Sequence, residues 1–474
     1  MPRTKIVCTI GPASCSPEIM RELIGAGMNV GRINFSHGDH ATHARSIATL
    51  REVAREEGQL VSVLADLQGP KLRVGVIDDA GLDLKVGDRV SLVAGLRAAA
   101  DHEIPIPHEC LFRDLCPGDR VLFDDGNIEL VVIARREGRL LCEMTVGGVL
   151  TSRKGINVPG SAIDVAAMTD KDRRDAVFAI EQAVDFLGLS FVRRPADVRE
   201  LREFLAGHGA QIPIIAKIEK PEALQSFDDI LSETDGIMVA RGDLGVETPA
   251  EEVPFHQKRI IRACNQAGKP VITATQMLQS MITEPRPTRA EASDVVNAIL
   301  DGTDAVMLSG ETAIGQYPGE AARTMAKICT NAEAHLVSTD WVHRISQSRE
   351  DIAGSISQAA VRIALEVGAK VIVSATMSGS TARMVARFRP PMPVLAVTPH
   401  EAVVKRLALS WGVIPVQVPA FESTDDMMYR TARVAAEHGL VQDGDPMVVT
   451  AGIPFGTGGR TNMLKVTVAG EDDA

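Results

Sequence analysis

An α/β fold built on a (β/α)8 barrel, interrupted by a small all-β insert and followed by a separate α/β unit, is what this sequence predicts. Three observations predict it. Eight short β-rich apolar runs alternate with helix-periodic segments through the first two-thirds of the chain. One interval between runs is far too long for a loop, and there the texture changes to closely spaced strands with Gly-Asp and Asp-Gly turns. Beyond about residue 337 a fresh set of strands and helices begins.

The eight runs are Ile6–Ile10, Val30–Phe35, Val61–Leu67, Phe186–Phe191, Ile212–Ile218, Gly236–Ala240, Val271–Thr275 and Ala305–Leu308. Helical periodicity marks Pro17–Ala26, His40–Glu57, Ala196–Ala206, Phe255–Ala267, Arg289–Asp301 and Gly319–Ala334 between and after them. A doubly wound sheet competes with the barrel, but eight regular units favour closure. The insert shows Val74–Ile77, Arg89–Val93, Arg120–Phe123, Glu129–Ile133 and Arg139–Val146 as strands. The chain leaves the barrel near Lys71 and returns near Val158-Pro159-Gly160. Residues 1–70 and 159–336 are thus expected to form the barrel, 71–158 an inserted β-barrel lid, and 337–474 a C-terminal α/β domain. An insert after the third strand sits over the carboxyl-end face, where a lid belongs. In the last unit Val371–Ser374, Val394–Val397, Ile414–Val418, Met447–Thr450 and Leu464–Val468 are the expected strands.

Composition excludes several function classes. The chain has 474 residues with 50 Lys+Arg against 62 Asp+Glu, a net charge of −12, and only 3% aromatic residues. Nucleic-acid binders normally carry a basic stripe and stacking platforms, so none is expected as a partner. No apolar run approaches the roughly 18 residues of a membrane span, and the opening segment is broken by Thr9, Gly11 and Pro12, too early for a signal peptide. Seven scattered Cys without a Cys-x-x-Cys pair fit reduced thiols in a cytoplasm.

Polar residues collect at the carboxyl ends of the runs, where barrel enzymes place their chemistry. In the second run a period of two sets Arg32, Asn34 and Ser36 on one face, a guanidinium, an amide and a hydroxyl suited to an anion with a cation beside it. The third ends on Asp66, with Gly69-Pro70 as the exit turn. In the fifth, Lys217 and Glu219 share a side, either as a structural ion pair or with Glu219 on a divalent metal and Lys217 on a developing anion. The sixth supplies Asp243 beside Gly242, the seventh Thr275, the eighth Glu311. Two carboxylates from adjacent strands suit Mg²⁺. His37, His40 and His43 invite a metal reading, but spacings of three drift around a helix, and ordinary surface histidines are the plainer account. No Walker A loop is present, since Ala263 and Pro270 break the pattern around Gly268-Lys269. Arg, Lys and two carboxylates at one mouth suit phosphoryl transfer or enolate chemistry.

These residues resemble the pyruvate kinase family over essentially the whole chain. The resemblance rests on Thr4–Ser14, Asn34-Phe35-Ser36-His37-Gly38, Lys217-Ile218-Glu219, Met238–Val246, Ala274–Leu278, Pro285–Glu291 and Met307–Thr312. It implies phosphoryl transfer from phosphoenolpyruvate to ADP, giving pyruvate and ATP. It further implies Arg32 on the transferring phosphoryl, Lys217 on the phosphoryl and the enolate oxygen, and Glu219 and Asp243 on Mg²⁺ (or Mn²⁺). The backbone of Arg241-Gly242-Asp243 with Thr275 would seat the pyruvate carboxylate, and Thr275 and Glu311 are candidates for protonating the enolate. Arg73 and Lys154 would approach the nucleotide phosphates, with Asn34 and His37 on the nucleotide side. Many members read Asp-Thr-Lys-Gly-Pro-Glu after the third strand and need K⁺ near the positions of Asn34, Ser36, Asp66 and Leu67. Here Lys71 replaces that Glu, and its ammonium is expected to stand in for K⁺.

The C-terminal unit is regulatory in the family. Thr376-Met377-Ser378-Gly379-Ser380-Thr381, before a helix expected near Ala382, resembles its effector-phosphate loop, with Gly456–Thr461 as the second loop. An ordinary helix cap explains the hydroxyls equally well. Met377, where members responding to a sugar bisphosphate can carry Lys, favours a sugar-monophosphate or AMP effector. The family usually forms homotetramers. Two other readings stay open: a metal-dependent aldolase or lyase working through a pyruvate enolate, and a non-catalytic phosphometabolite sensor.

Overall fold

The structure, a computed structural model, describes residues 2–98, 100, 102–136, 138–160, 163, 165–336, 351–453 and 461–470. Within them eight parallel strands close into a barrel: Lys5–Ile10, Met28–Asn34, Ser62–Asp66, Phe186–Leu189, Ile214–Ile218, Gly236–Ala240, Val271–Ala274 and Ala305–Leu308. Closure is made by the Lys5↔Ala305 register, and the chain re-enters beside the third strand at Gly188↔Asp66. All eight expected runs are strands of this barrel.

Parallel neighbours need a crossover, and the crossover helices carry their start signals locally. Ser16 caps Pro17–Gly25 and Asp39 caps His40–Glu56, each accepting from a backbone amide of the first turn. Thr169 with Asp172 and Thr288 with Glu291 form capping boxes on Asp170–Glu181 and Arg289–Asp301. Side-chain alternation then decides the interior. Val7, Val30, Leu64, Phe186, Ile215, Met238, Ile272 and Met307 pack together inside the barrel, while Ile6, Cys8, Ile33, Val63, Ala65 and Leu187 join the shell between strands and helices.

The insert is a six-stranded sheet in the order Ile156–Asn157, Arg120–Phe123, Ile128–Arg136, Arg139–Val146, Arg89–Ala94, Glu103–Ile106, with Leu82–Leu84 and Gly148–Leu150 as a separate pair. Two expectations are corrected here. The sheet is open among the described residues, not a closed barrel, and one edge strand is only two residues long. Val74–Ile77 is not a strand either. Its successive amides bond three different segments, Val74 N to Lys154 O, Gly75 N to Pro105 O and Val76 N to Leu96 O, so no single partner strand can form a ladder.

The C-terminal unit holds a five-stranded sheet ordered Val413–Gln417, Val394–Thr398, Val371–Ala375, Pro446–Ala451, Met463–Val468, the last strand antiparallel. It plugs the barrel at the amino ends of the strands. Ala408 and Leu409 join the interior apolar cluster, and Lys5 Nζ donates to Val413 O at 2.8 Å. Asp304, just before the eighth strand, anchors the joint: Oδ1 accepts from Arg389 Nη1 at 2.9 Å and from Trp411 N at 3.2 Å, and Oδ2 accepts from Val271 N at 3.1 Å. Arg389 is buried, and its guanidinium lies 5.1 Å from the Trp411 ring centroid.

Removing one partner of a buried ion pair costs about 3–5 kcal/mol. Arg389→Met is therefore expected to lower the urea midpoint followed by circular dichroism, and an unchanged midpoint would contradict this role. Burial pushes the Lys5 ammonium down to about 8 from its ordinary 10.5, against the pull of Glu333 and Asp304. Because the folded value is the lower one, wild type gains stability relative to Lys5→Met as pH rises from 8 to 10.5. Parallel stability–pH curves for the two proteins would rule the effect out.

Candidate active site

One residue pair beyond the apolar layer of Val7, Val30, Leu64 and Ile215, the inward positions become Thr9, Arg32, Asp66 and Lys217. Arg32 Nε and Nη2 each lie 2.7 Å from Asp66 Oδ2, and Nη1 donates to Thr9 Oγ1 at 3.0 Å. Lys217 Nζ lies 3.4 Å from Asp66 Oδ1 and 2.9 Å from Glu219 Oε1, and it donates to Ser190 Oγ at 2.7 Å. Ser190 in turn donates to Leu67 O. Gly188 leaves room for this array, because a Cβ there would sit 3.0 Å from Asp66 Oδ1 and crowd the carboxylate.

The charges hold one another ionised. Burial alone would protonate Asp66, but Lys217 and Arg32 outweigh it and keep the carboxyl below 3.8. Burial likewise disfavours the Lys217 ammonium, yet Asp66 and Glu219 hold it well above the usual lysine range. Glu219 goes the other way: burial raises it, Lys217 opposes, and repulsion from Asp243 adds to the rise. That like-charge repulsion is what a bound divalent cation relieves, and two carboxylates form a hard oxygen donor set that fits Mg²⁺. Among the described residues no group of three or more His, Cys, Asp or Glu is arranged to hold a metal, which leaves substrate and water to complete such a sphere.

A strained turn adjoins the array. Thr275 and Gln276 have φ of 68 and 53, and a β-branched residue in the left-handed region is a true outlier. Arg241 clamps it, donating to Thr275 O at 2.9 Å and pairing with Asp294 at 2.7 Å. Gly242 N donates to Thr275 Oγ1 at 2.7 Å, at the start of the short helix Arg241–Glu247 that also carries Asp243. Glu311 is fully buried, and its two oxygens accept from Leu278 N and Ser309 N, so its carboxylate supports the loop behind Thr275.

Other sequence-selected residues are placed as follows. Asn34 ends its strand and accepts from Ser36 N, which lies in the turn beyond it. Leu67 buries its side chain in the outer core and offers only its carbonyl. Lys71 Nζ reaches to 3.9 Å from Asp243 Oδ1. Arg73 donates to Arg153 O, and Lys154 is paired with Asp124 at 2.6 Å, both at the junction of insert and barrel. His37 is exposed, and partial desolvation with the charges of Arg73, Lys71 and Arg32 lowers its pKa. The three histidines do not converge: His40 bonds Asp175 at 2.8 Å and stacks on Phe178, while His43 packs on Phe35. In the C-terminal loop Gly379 N donates to Thr376 Oγ1, Ser378 Oγ accepts from Ser380 N, and the helix starts at Ser380, two residues earlier than expected. Thr381 Oγ1 lies 2.7 Å from Thr461 Oγ1, while Gly456–Arg460 fall outside the described residues. Sequence reasoning missed Thr9 and Ser190. Period two would have found both, counted from Val7 for the first and from Phe186 through Gly188 for the second.

A closed barrel whose carboxyl-end mouth sets Arg32 and Lys217 against Asp66, Glu219 and Asp243 defines a metal-compatible enzyme for anionic substrates. The description "Pyruvate kinase, barrel domain" matches residues 1–322, and "Pyruvate kinase, alpha/beta domain" matches 354–467. A pyruvate kinase of Geobacillus stearothermophilus is 49% identical over 470 residues, 98% of this chain and 80% of that protein. Pyruvate kinase 2 of Synechocystis is 49% identical over 98% of this chain and 79% of its own length. The crystal structure of a pyruvate kinase from Cryptosporidium parvum superposes with a TM-score of 0.93 at 36% identity, covering 99% of this chain and 96% of the other. The chain belongs to the pyruvate kinase family and is a phosphotransferase.

Asp66 has its folded value depressed, so its stabilisation is present above 3.8 and is lost as pH falls through that lower value. The stability deficit of Asp66→Asn is therefore expected to be full at neutral pH and to shrink once pH drops below 3.8, read by urea unfolding along a pH series. A deficit that grows on acidification would overturn the assignment.

Proposed function

We propose that this chain transfers the phosphoryl group of phosphoenolpyruvate to ADP, giving pyruvate and ATP. The observation that carries the reading is the buried Arg32–Asp66–Lys217–Glu219 array, two cations held ionised at one mouth. Phosphoryl transfer needs positioning and charge neutralisation more than covalent help. Arg32 orients the transferring phosphoryl, with its guanidinium fixed by Asp66. Lys217 sits where charge grows on the bridging oxygen as its bond to phosphorus breaks and a β-phosphate oxygen of ADP takes the phosphoryl. Glu219 and Asp243 would hold Mg²⁺ or Mn²⁺. When bound, that cation supplies Lewis-acid neutralisation of phosphoryl and enolate oxygens. Backbone of Arg241-Gly242-Asp243 and Thr275 seats the carboxylate. Thr275 leads a water-linked proton to the enolate carbon, and Glu311 acts behind it through the loop.

Arg73, Lys154, Asn34 and His37 form the nucleotide side, and Lys154 exchanges Asp124 for a phosphate on binding. In this reading residues 71–158 close over the mouth of the barrel formed by 1–70 and 159–336 and exclude water as a competing acceptor. Residues 337–474 carry the effector site at Thr376, Ser378, Gly379, Ser380 and Thr381, for a sugar monophosphate or AMP. The Thr381–Thr461 contact supports a two-loop site, since it joins this loop to the segment after residue 460. A cytoplasmic homotetramer completes the reading.

Activity without K⁺ belongs to the same proposal. Lys71 supports it, with its ammonium 3.9 Å from Asp243 and a buried Leu67 where a hydroxyl would ligate. A coupled assay of ATP formation is expected to give full rates in buffer free of K⁺ and Na⁺. Lys71→Glu should lose at least about tenfold there, one ion-pair's worth, and recover on adding K⁺. A wild-type rate that collapses and returns only with K⁺ would sink the idea. Lys217→Met is expected to lower kcat by about 10²–10³-fold, as for removal of one preorganised charge-stabilising donor. Undiminished turnover would reject the role given to Lys217.

A further inference from the structure

The exit strand of the insert, Ile156–Asn157, pairs with Arg120–Phe123 at Ile156↔Phe123 and Asn157↔Leu122, so its backbone belongs to the insert sheet. Its last side chain does not. Asn157 Nδ2 donates to Glu247 Oε1 at 2.7 Å, in a buried contact with the barrel. Glu247 ends the short helix that opens with Arg241-Gly242-Asp243, and its side chain is 2% exposed. The same Oε1 accepts from Lys220 Nζ at 2.5 Å. Lys220 immediately follows Glu219 and lies 6.0 Å from the ring centroid of Phe191, whose amide donates to Glu219 Oε2 at 2.6 Å. Phe191 holds a φ of 55, a costly conformation for an aromatic residue that its neighbours must maintain. The insert turn at Gly126 comes close to this helix, since a Cβ built there would lie 3.9 Å from Val246.

One carboxylate oxygen therefore joins three bodies: the insert, the exit of the fifth barrel strand, and the helix bearing Asp243. We propose that Glu247 is a positioning residue that latches the insert to the barrel and, through Lys220, sets Glu219 and Asp243 in register with it. The latch's consequence for turnover rests on the proposed function; the latch itself does not. A charge-assisted hydrogen bond buried at a domain joint is stronger than its exposed counterpart and is lost sharply when one partner changes. Asn157 supplies the insert side, so docking of the insert and geometry of the two carboxylates move together.

The test uses the full chain with three variants. Asn157→Asp places a second carboxylate against Glu247, Glu247→Gln keeps the shape but loses the charge, and Lys220→Ala leaves Asn157 and Glu247 alone. Hydrogen exchange on the unliganded proteins is read in the Arg120–Phe123 and Ile156–Asn157 amides. Asn157→Asp and Glu247→Gln are expected to exchange about tenfold faster there, with protection elsewhere in the insert sheet retained, while Lys220→Ala, which leaves the Asn157–Glu247 bond in place, should exchange near wild type. In steady state, the same variants should raise KM for ADP several-fold more than KM for phosphoenolpyruvate, which a merely structural defect would not do. Exchange and the KM ratio both unchanged from wild type would overturn the latch, as would uniform loss of protection across the insert. Faster local exchange in the variants, together with a wild type that itself forms no ATP, would uphold the latch and refute the proposed function.

Discussion

Asp66 imposes the constraint on which the mouth of this barrel depends. A carboxylate 1% exposed stays ionised because Lys217 and Arg32 flank it, and the buried Lys217 ammonium stays charged because Asp66 and Glu219 face it. The groups come from three strands, Arg32 from the second, Asp66 from the third, and Lys217 with Glu219 from the fifth and its exit, so the array exists only when these strands are held in one sheet. Barrel closure is thus a chemical requirement as well as a packing solution. Gly188, on the fourth strand between them, leaves the space that the carboxylate occupies.

Stability and chemistry are separated along the barrel axis. At the amino ends, apolar residues and the Ala408–Leu409 plug fill the interior, and Asp304 with Arg389 ties the C-terminal unit to the strand that leads to Glu311. At the carboxyl ends the same inward positions turn polar and the backbone takes on strain, at Phe191, Thr275 and Gln276. Strain of this kind persists where surrounding contacts over-determine it. Arg241 over-determines the Thr275 turn, and Glu219 holds the Phe191 amide.

The insert meets the barrel through polar contacts at its two connecting segments. Lys71 approaches Asp243, and Asn157 reaches Glu247. Apolar residues share that joint, since Leu72 and Ile163 pack against the insert core beside Ile156 and Val158.

Local patterning by itself determined the eight strands, six of the helices among and after them and the inward row of Arg32, Asp66, Lys217 and Glu219, because alternation and helical periodicity act over a few residues. It also identified the family. What it did not reach are relations between segments distant in the chain. Val74–Ile77 reads as a strand, yet its amides serve three partners. Glu311 reads as a candidate for the proton route, and only the fold shows that its oxygens accept from the Leu278 and Ser309 amides. The tertiary structure alone decided which partners Ser190 and Thr9 bond in the array and that one oxygen of Glu247 binds both Asn157 and Lys220. The opening barrel prediction therefore stands on short-range physics, while the state of each charge at its mouth is set by partners brought together only when the barrel closes.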